Sequence, residues 1–336
     1  MPALNHVQMF SRFMLLLMLL TTPAMASQSS NYSKTKYPIV MVPGAFGFDN
    51  ILGGIDYWYG ITDELRNGGA EVYVTNLSSS ADNIQRGEEL LADVRNILAL
   101  TGASRVNLIA HSQGATASRY VAALKPDWIE SISCFNCMNE GTAFADNILN
   151  FFNQHKLPKF IFNTAISAIF TALELISSIP KDGEYNSRGR GIQIAEDLAI
   201  AAGRESFQNF NQLFPEALSP RTCAIQGNGK TYDAIGGQPK VNGIYYYSVG
   251  GSQVKTHNRD PIDTVVVPII QLFYPDDQVW DGFVPSCGHP LGEMIESNYA
   301  INHFDAINHT MGLVKAGVNV PSIYSMQVNR LRNEGH

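Results

Sequence analysis

The chain has 336 residues, 45% of them hydrophobic and 16% charged, which is enough apolar material for a packed core and excludes disordered and collagen-like proteins. Its formal net charge is -7, from 30 acidic and 23 basic residues, and it has no dense basic run. This balance argues against binding to nucleic acid and favours a neutral or lipid-like substrate.

Residues 1–26 have the pattern of a secretory signal. Arg12 precedes an apolar run over 13–20, and a site of small residues follows at 24–26. This run is much shorter than the roughly 20 residues that a bilayer span needs, so we expect no stable membrane insertion. The sequence predicts export to the extracellular space, with cleavage before Ser27.

Short apolar runs alternate with amphipathic segments through much of the chain. The periodicity predicts strands over 37–42, 71–75, 106–110, 128–133 and 243–248, and helices around 90–98 and over 115–124. Strand, helix and strand at this spacing predict a mostly parallel sheet in an α/β fold, and 27–336 reads as one domain.

Residues 143–178 interrupt this alternation with a very apolar stretch of helical character. Two interpretations remain open for it. It is either a pair of core helices or a mobile lid over an apolar active site.

Four cysteines permit disulfides in an exported protein, with three possible pairings. Cys134 and Cys137 lie close together without a second Cys or His pair nearby, so a zinc site is disfavoured. Buried thiols and a local disulfide both stay open for them. Cys223 and Cys287 lie far apart in segments that read as loops.

The turn from Ala110 to Gly114 has the setting of a nucleophile elbow. An apolar strand comes before it and a helical run after it, and small residues stand two positions on either side of Ser112. The alternative is an ordinary strand-to-helix turn with a capping serine. The pattern favours Ser112 as a nucleophile.

A nucleophilic serine needs a histidine base and an acid, which follow it in the chain order Ser, Asp/Glu, His. Asp281 opens a tight turn after an apolar pair, whereas Asp276 and Asp277 read as solvated loop charges. His303 lies in a polar turn beyond this acid, and His309 is the second choice of base. His289, before a proline, and the terminal His336 are disfavoured.

The oxyanion of an acyl-transfer reaction needs two backbone donors. One is the N–H of Gln113, directly after the nucleophile. The other is expected in the loop after the first strand, where glycines flank Ala45. A plain Pro-Gly turn is the alternative reading of this loop.

Taken together, the motifs resemble the exported, foldase-dependent true lipases of the Pseudomonas and Burkholderia type. The resemblance spans nearly the whole mature chain and implies an α/β-hydrolase fold with helices on both faces of the sheet. By position it implies a triad of Ser112, Asp281 and His303, with oxyanion donors at Ala45 and Gln113. It rests on the segments 37–40, 47–50, 56–60, 86–88, 119–122, 298–299 and 302–305.

The resemblance also implies one structural Ca²⁺, held by the carboxylates of Asp260 and Asp305 and the backbone carbonyls of His309 and Leu313. Oxygen ligands suit this ion. The ion would hold the loop that carries the base. The resemblance further implies a disulfide between the third and fourth cysteines, Cys223 and Cys287, and a helical lid insertion near 151–178.

The expected function is a secreted triacylglycerol lipase that acts on long-chain acylglycerols at an oil–water interface, with a periplasmic foldase as a possible partner. A carboxylesterase or polyester depolymerase with the same triad is the alternative, and a non-catalytic secreted binding protein is disfavoured by the complete triad. The departures from the lipase pattern lie beside the nucleophile: Pro43 stands where the family has histidine, and Ala110 where it has glycine.

Overall fold

The computed structural model describes residues 31–45, 50–51, 55–78, 81–156, 195–221, 223, 234–274 and 279–336. The strands within these ranges are β1 (Ile39–Val42), β2 (Asn50–Ile51), β3 (Ile55–Asp56), β4 (Val72–Val74), β5 (Val106–His111), β6 (Ile129–Phe135), β7 (Lys240–Val241), β8 (Ile244–Gly251) and β9 (Glu293–Tyr299). The helices are α1 (Ile61–Asn67), α2 (Asn83–Thr101), α3 (Gly114–Leu124), α4 (Ala143–Gln154), α5 (Ala195–Ala202), α6 (Arg204–Leu213), α7 (Val267–Gln271), α8 (His309–Gly312) and α9 (Val320–Glu334). Short 3-10 turns cover Asn31–Ser33, Pro126–Trp128, Ser286–Gly288 and Asp305–Ile307, and a π-helical turn covers Ile262–Val266.

The described strands form a main sheet in the order β4-β1-β5-β6-β8-β7, with β9 also paired to β8. The pairings along this sheet are parallel except for β7, which runs antiparallel to β8. Parallel neighbours need crossover connections, and helices supply several of them here. The predicted α/β fold with a mostly parallel sheet is therefore confirmed.

Strand β1 shows how the sheet is buried on both faces. Its four residues are fully buried, with Ile39 and Met41 in one apolar cluster and Val40 and Val42 in another. Because successive side chains of a strand point to opposite faces, the first pair packs toward α1 and α9 and the second toward α2 and α3. Full burial of such a side chain stabilises the fold by about 1.5–3 kcal/mol.

Helix α2 begins and ends where its sequence dictates. The Asp82 side chain accepts hydrogen bonds from the N–H groups of Ile84 and Gln85, which have no partner inside the helix. Gly102 closes the helix in the left-handed conformation, at φ 69°. Leu90 and Val94 on its inner face are fully buried against the sheet.

The strand and helix predictions for the first half of the chain are confirmed with shifts of one or two residues at their ends, apart from α2, which extends further than 90–98. Helix α4 occupies the start of the predicted lid region 143–178, and residues 157–178 lie outside the described part of the chain. The predicted signal at 1–26 also lies outside it. In the part that the structure describes, no helix combines the length and hydrophobicity required to cross a membrane.

Candidate active site

Ser112 stands at the turn between β5 and α3, where the chain reverses from the sheet edge into a helix. Its backbone adopts φ 54°, which is uncommon for a residue other than glycine and is typical of a strained functional turn. Gly114 allows the tight turn, because a Cβ there would lie 2.4 Å from the carbonyl oxygen of Val42. The local sequence thus raises the hydroxyl of Ser112 above the sheet edge.

Three side chains that are distant in sequence form one hydrogen-bonded chain. The distance from Ser112 Oγ to His303 Nε2 is 2.9 Å, and from His303 Nδ1 to Asp281 Oδ2 is 2.8 Å. A carboxylate only accepts hydrogen bonds, so the Nδ1–H of His303 donates to Asp281 and its Nε2 is left to accept from the serine hydroxyl. This tautomer is the one that can take the proton of Ser112.

The backbone of the two loops is locked together as well. The N–H of His303 donates to the carbonyl oxygen of Asp281 at 2.7 Å. The second choice of base lies elsewhere, since the Nδ1 atom of His309 contacts Thr310 Oγ1, and the disfavoured His336 pairs with Glu130. The alternative acids Asp276 and Asp277 lie outside the described residues.

Asp281 is fully buried and accepts five hydrogen bonds. Burial alone would raise the pKa of this carboxyl, but its electrostatic interactions and hydrogen bonds with His303 and His289 outweigh burial and hold the pKa well below its ordinary value. The carboxylate is therefore ionised at neutral pH. Its Oδ1 accepts from the N–H groups of Phe283 and Val284, and its Oδ2 accepts from Asn136 Nδ2, His289 Nε2 and His303 Nδ1.

Two of these donors were not predicted as site residues: Asn136 is absent from the sequence analysis, and His289 appears there only as a disfavoured base. Asn136 directly follows β6 and has φ 43°. A polar residue at the carboxyl end of a parallel strand is a signal of a site residue in α/β folds. His289 carries no comparable local signal.

The predicted oxyanion residues lie in the loop after β1 and at the turn that carries Ser112. Gln113 occupies the N-terminal position of α3, where backbone N–H groups and the helix dipole favour negative charge. Ala45 is buried in the loop after β1. Nη2 of Arg86 donates to the carbonyl oxygens of Pro43 at 2.8 Å and Gly44 at 2.9 Å, which fixes this loop.

A second hydrogen-bonded chain links this loop to the base. The N–H of Gly44 donates to the Tyr57 hydroxyl at 2.9 Å, which lies 2.7 Å from His111 Nδ1. The carbonyl oxygen of His303 lies 3.0 Å from His111 Nε2, so Nε2 donates and Nδ1 accepts from Tyr57. Burial lowers the pKa of His111 well below its ordinary value, and the charge of His303 acts in the same direction, so this imidazole is neutral. These hydrogen bonds connect the loop after β1 to the loop that carries His303.

The walls around the base are apolar. Ala45, Phe144, Phe283 and Phe304 belong to one buried cluster, and the rings of Phe283 and His303 lie 5.1 Å apart between centroids. Electrostatic interactions are stronger in such a dry environment than in water. The arrangement suits transfer of an acyl group from an apolar substrate.

The cysteines divide into two kinds. Cys223 and Cys287 form a disulfide with a Cα–Cα distance of 5.4 Å, as the resemblance implied, and it lies six residues beyond Asp281. Cys134 and Cys137 are buried free thiols. Of the two interpretations left open for them, the structure has buried thiols.

Behind the base, Asp260 and Asp305 are brought close enough for their charges to interact, and Asp263 joins them. The Oδ1 atom of Asp305 is buried without a hydrogen-bond partner among the described residues. Burial raises the pKa of Asp305 to about 7 and that of Asp260 to about 6, and the neighbouring carboxylates add to both shifts. No three side chains of Asp, Glu, His or Cys in the described part converge as a metal cluster, so a cation here would need backbone oxygens too.

The backbone near His309 and Leu313, the other two residues of the expected calcium site, has an unusual conformation. Asn308, Thr310 and Met311 have φ values of 57°, 53° and 56°. Left-handed residues other than glycine cost free energy and persist only where the surroundings compensate for it. His309 lies between Asn308 and Thr310, and Leu313 is separated from Met311 by Gly312.

Comparison with known proteins adds independent findings. The α/β-hydrolase fold family matches residues 37–155. The chain is similar to triacylglycerol lipases of Vibrio cholerae (33% identity, covering 94% of this chain and 93% of the relative), Pseudomonas fragi (31%, covering 90% and 98%) and Burkholderia plantarii (30%, covering 92% and 90%). The crystal structure of the mature Bacillus licheniformis lipase BlEst2 shares the fold at a TM-score of 0.51 and 14% identity, covering 88% of this chain and 92% of that one.

Proposed function

The chain belongs to the bacterial triacylglycerol lipases and is an ester hydrolase, and we propose that it hydrolyses acylglycerols through an acyl-enzyme formed on Ser112. The observation that carries this proposal is the unbroken hydrogen-bonded chain from Ser112 through His303 to Asp281. A serine becomes a strong nucleophile only when a positioned base accepts its proton and an acid orients that base.

In the proposed mechanism Ser112 Oγ attacks the ester carbonyl carbon while its proton moves to His303 Nε2. The imidazolium that results is stabilised by the ionised carboxylate of Asp281. The tetrahedral intermediate collapses, the C–O bond to the glycerol oxygen breaks, and His303 gives its proton to that leaving oxygen. A water molecule then attacks the acyl-enzyme with His303 again as base, which releases the fatty acid and restores the serine.

We assign the stabilisation of the oxyanion to the N–H groups of Ala45 and Gln113. The position of Gln113 at the start of α3 and the fixation of the Ala45 loop by Arg86 support this assignment. Donors that are fixed before the reaction stabilise the charge that develops without having to reorganise.

The experiment that tests the function compares hydrolysis of emulsified long-chain triglyceride with that of a soluble short-chain ester. We expect activity on both, and Ser112→Ala should lower kcat by about a millionfold. Equal activity in the wild type and the variant would refute the mechanism. Activity that falls steadily from short to long acyl chains would instead assign a carboxylesterase or polyester depolymerase with the same triad.

A structural Ca²⁺ is the second part of the proposal. Asp260 and Asp305 would supply carboxylate oxygens, and His309 and Leu313 would supply backbone carbonyls. The unpartnered buried Oδ1 of Asp305 and the crowding of buried carboxylates support this assignment, because oxygen-rich anionic pockets suit a hard divalent cation. When bound, the ion would neutralise these charges and hold the loop of His303.

Export and chaperoned folding complete the proposal. The signal pattern at 1–26 supports secretion through the periplasm. The similarity to Pseudomonas and Burkholderia lipases supports the hypothesis that a dedicated foldase assists folding. Expression with and without the signal, followed by activity in the medium, tests the first. Refolding yield with and without a lipase-specific foldase tests the second, and equal yields would exclude the requirement.

A further inference from the structure

A second histidine, His289, lies on the carboxylate of the triad. Its Nε2 is 3.0 Å from Asp281 Oδ2, the same oxygen that accepts from His303. Both side chains of this pair are fully buried, with 0% side-chain exposure. His289 does not contact Ser112, so it has no part in the mechanism described above.

The geometry fixes which ring nitrogen of His289 carries a proton. The carboxylate can only accept, so Nε2 must be the donor. Nδ1 has no hydrogen-bond partner among the described residues, and it faces Gly250 so closely that a Cβ there would lie 2.7 Å from it. A proton on Nδ1 would be a buried, unpaired donor, which costs free energy. His289 is therefore the neutral Nε2–H tautomer.

Its backbone is held independently of the ring. The side chain of Asn139 donates to the carbonyl oxygen of His289 at 3.1 Å, and the N–H of Asn139 donates to the carbonyl oxygen of Gly288 at 3.0 Å. The disulfide at Cys287 lies two residues before it. The donor thus approaches Asp281 from a rigid support.

We propose that His289 is a positioning residue, which fixes and satisfies the Asp281 carboxylate so that its Oδ2 stays directed at His303 Nδ1. This inference rests on the proposed function. Asn136 binds the same oxygen at 2.8 Å, so two donors hold it from outside the triad. A buried carboxylate that loses one donor is less well compensated for its desolvation and freer to rotate away from the base.

Three titratable groups interact with the pair: His303, bound to the same oxygen, His111, whose ring lies 4.7 Å from that of His303 between centroids, and Tyr274, whose phenol interacts electrostatically with Asp281. Because the tautomer of His289 follows from hydrogen-bond geometry, the proposed role requires no change in its charge. An uncharged side chain that places an N–H donor at the same distance from Asp281 should therefore substitute for His289.

The test compares His289→Gln, whose amide Nε2 can occupy the place of the imidazole Nε2, with His289→Met, which has a similar length and no donor. On a soluble ester His289→Met should lose about tenfold in kcat with an unchanged KM, because a hydrogen bond to a charged group contributes on that order and the residue does not contact substrate. His289→Gln should recover most of that loss. A folded His289→Met variant with wild-type kcat would overturn the proposal, as would equal losses in the two variants.

Nitrogen-15 NMR of the wild-type protein labelled at histidine provides a measurement that does not depend on a variant folding. We expect His289 to be protonated at Nε2 and bare at Nδ1, and the opposite tautomer would overturn the proposal. Ester hydrolysis that survives Ser112→Ala would refute the proposed function instead. The NMR spectrum would still decide whether His289 donates to Asp281.

Discussion

Asp281 and Asp305 are carboxylates of almost equal burial, at 0% and 1% exposure, on two loops that meet at His303. Asp281 accepts five hydrogen bonds and its pKa lies well below the ordinary value. Asp305 has one oxygen without a partner among the described residues, and burial raises its pKa to about 7. The pKa of an aspartate is therefore lowered at one site and raised at the other, although the two side chains are almost equally buried.

The difference teaches that burial alone does not decide the charge of a carboxylate. Desolvation acts on both groups, and what separates them is the number of hydrogen-bond donors that the protein itself provides. Around Asp281 the fold supplies them all. Around Asp305 it places further carboxylates, Asp260 and Asp263, which raise its pKa, and the proposed Ca²⁺ would balance these charges.

The largest expected effect comes from removing the charge of Asp281. In Asp281→Asn an amide would replace one carboxylate oxygen, and the amide N–H would favour the His303 tautomer that cannot accept from Ser112. We expect kcat on a soluble ester to fall by about 10⁴ with little change in KM. The exposed Asp127→Asn is the matched control and should keep wild-type kcat. A loss below about tenfold in folded Asp281→Asn would contradict the assigned role.

The second prediction concerns removal of the proposed Ca²⁺ from the site of Asp305. Chelation should lower the melting temperature by about 4 °C relative to protein with calcium at a hundredfold excess over its Kd, because a ligand of the folded state stabilises by mass action. Asp305→Asn should no longer respond to added calcium, whereas Asp127→Asn should respond like the wild type. Scanning calorimetry measures both, and a melting curve that ignores the chelator would count against the ion.

The two carboxylates also differ in how well the sequence predicts their roles. The Ser112 elbow and the order Ser, Asp, His made Asp281 and His303 the first choices, with Asp276, Asp277 and His309 as alternatives. The structure brings Ser112, His303 and Asp281 into one hydrogen-bonded chain. Asp305 could be assigned a role only through the family resemblance, because an isolated aspartate in a loop has no local signal of burial.

Contacts between distant loops were beyond prediction for a similar reason. Asn136 and His289 reach one carboxylate oxygen from segments 153 residues apart in the chain. Periodicity reports which face of a strand or helix is buried, and it does not report which loops meet. The central strands β1, β5 and β6, by contrast, were predicted to within two residues at each end, because their apolar runs reflect burial on both faces of the sheet. Strand β9 was not predicted, because its side chains are only partly buried and form no such run.

The third prediction uses pH to separate the two kinds of carboxylate. A folded-state pKa raised from 3.8 to about 7 means that Asp305 stabilises the metal-free protein below its ordinary pKa and loses this contribution as pH rises through about 7. With chelator present, the excess of the melting temperature of Asp305→Asn over that of the wild type should therefore be smaller near pH 5 than near pH 8, where it should reach a few degrees. With calcium the order near pH 8 should reverse.

Asp281 has the opposite sign and supplies the contrast. Its lowered pKa means that its contribution is present above the ordinary value and is lost only as pH falls below about 4. The stability difference between the wild type and Asp281→Asn should thus be constant from about pH 5 to pH 8. If the stability difference between the wild type and Asp281→Asn varied with pH in the same way as that between the wild type and Asp305→Asn, the two carboxylates would not differ as described.

The smallest effect is expected at His309, which is proposed to offer the cation only its backbone carbonyl. Burial lowers the pKa of its imidazole to about 4, so the ring is neutral near neutral pH and does not repel a cation. His309→Gln keeps the carbonyl and a polar side chain of similar reach, and we expect calcium affinity to change by less than about threefold. Calcium titration followed by melting temperature measures this, with Asp305→Asn as the variant that abolishes the response. A loss of tenfold or more, about 1.4 kcal/mol, would mean that the side chain of His309 takes part in binding, and the site could no longer be described as two carboxylates completed by main-chain oxygens.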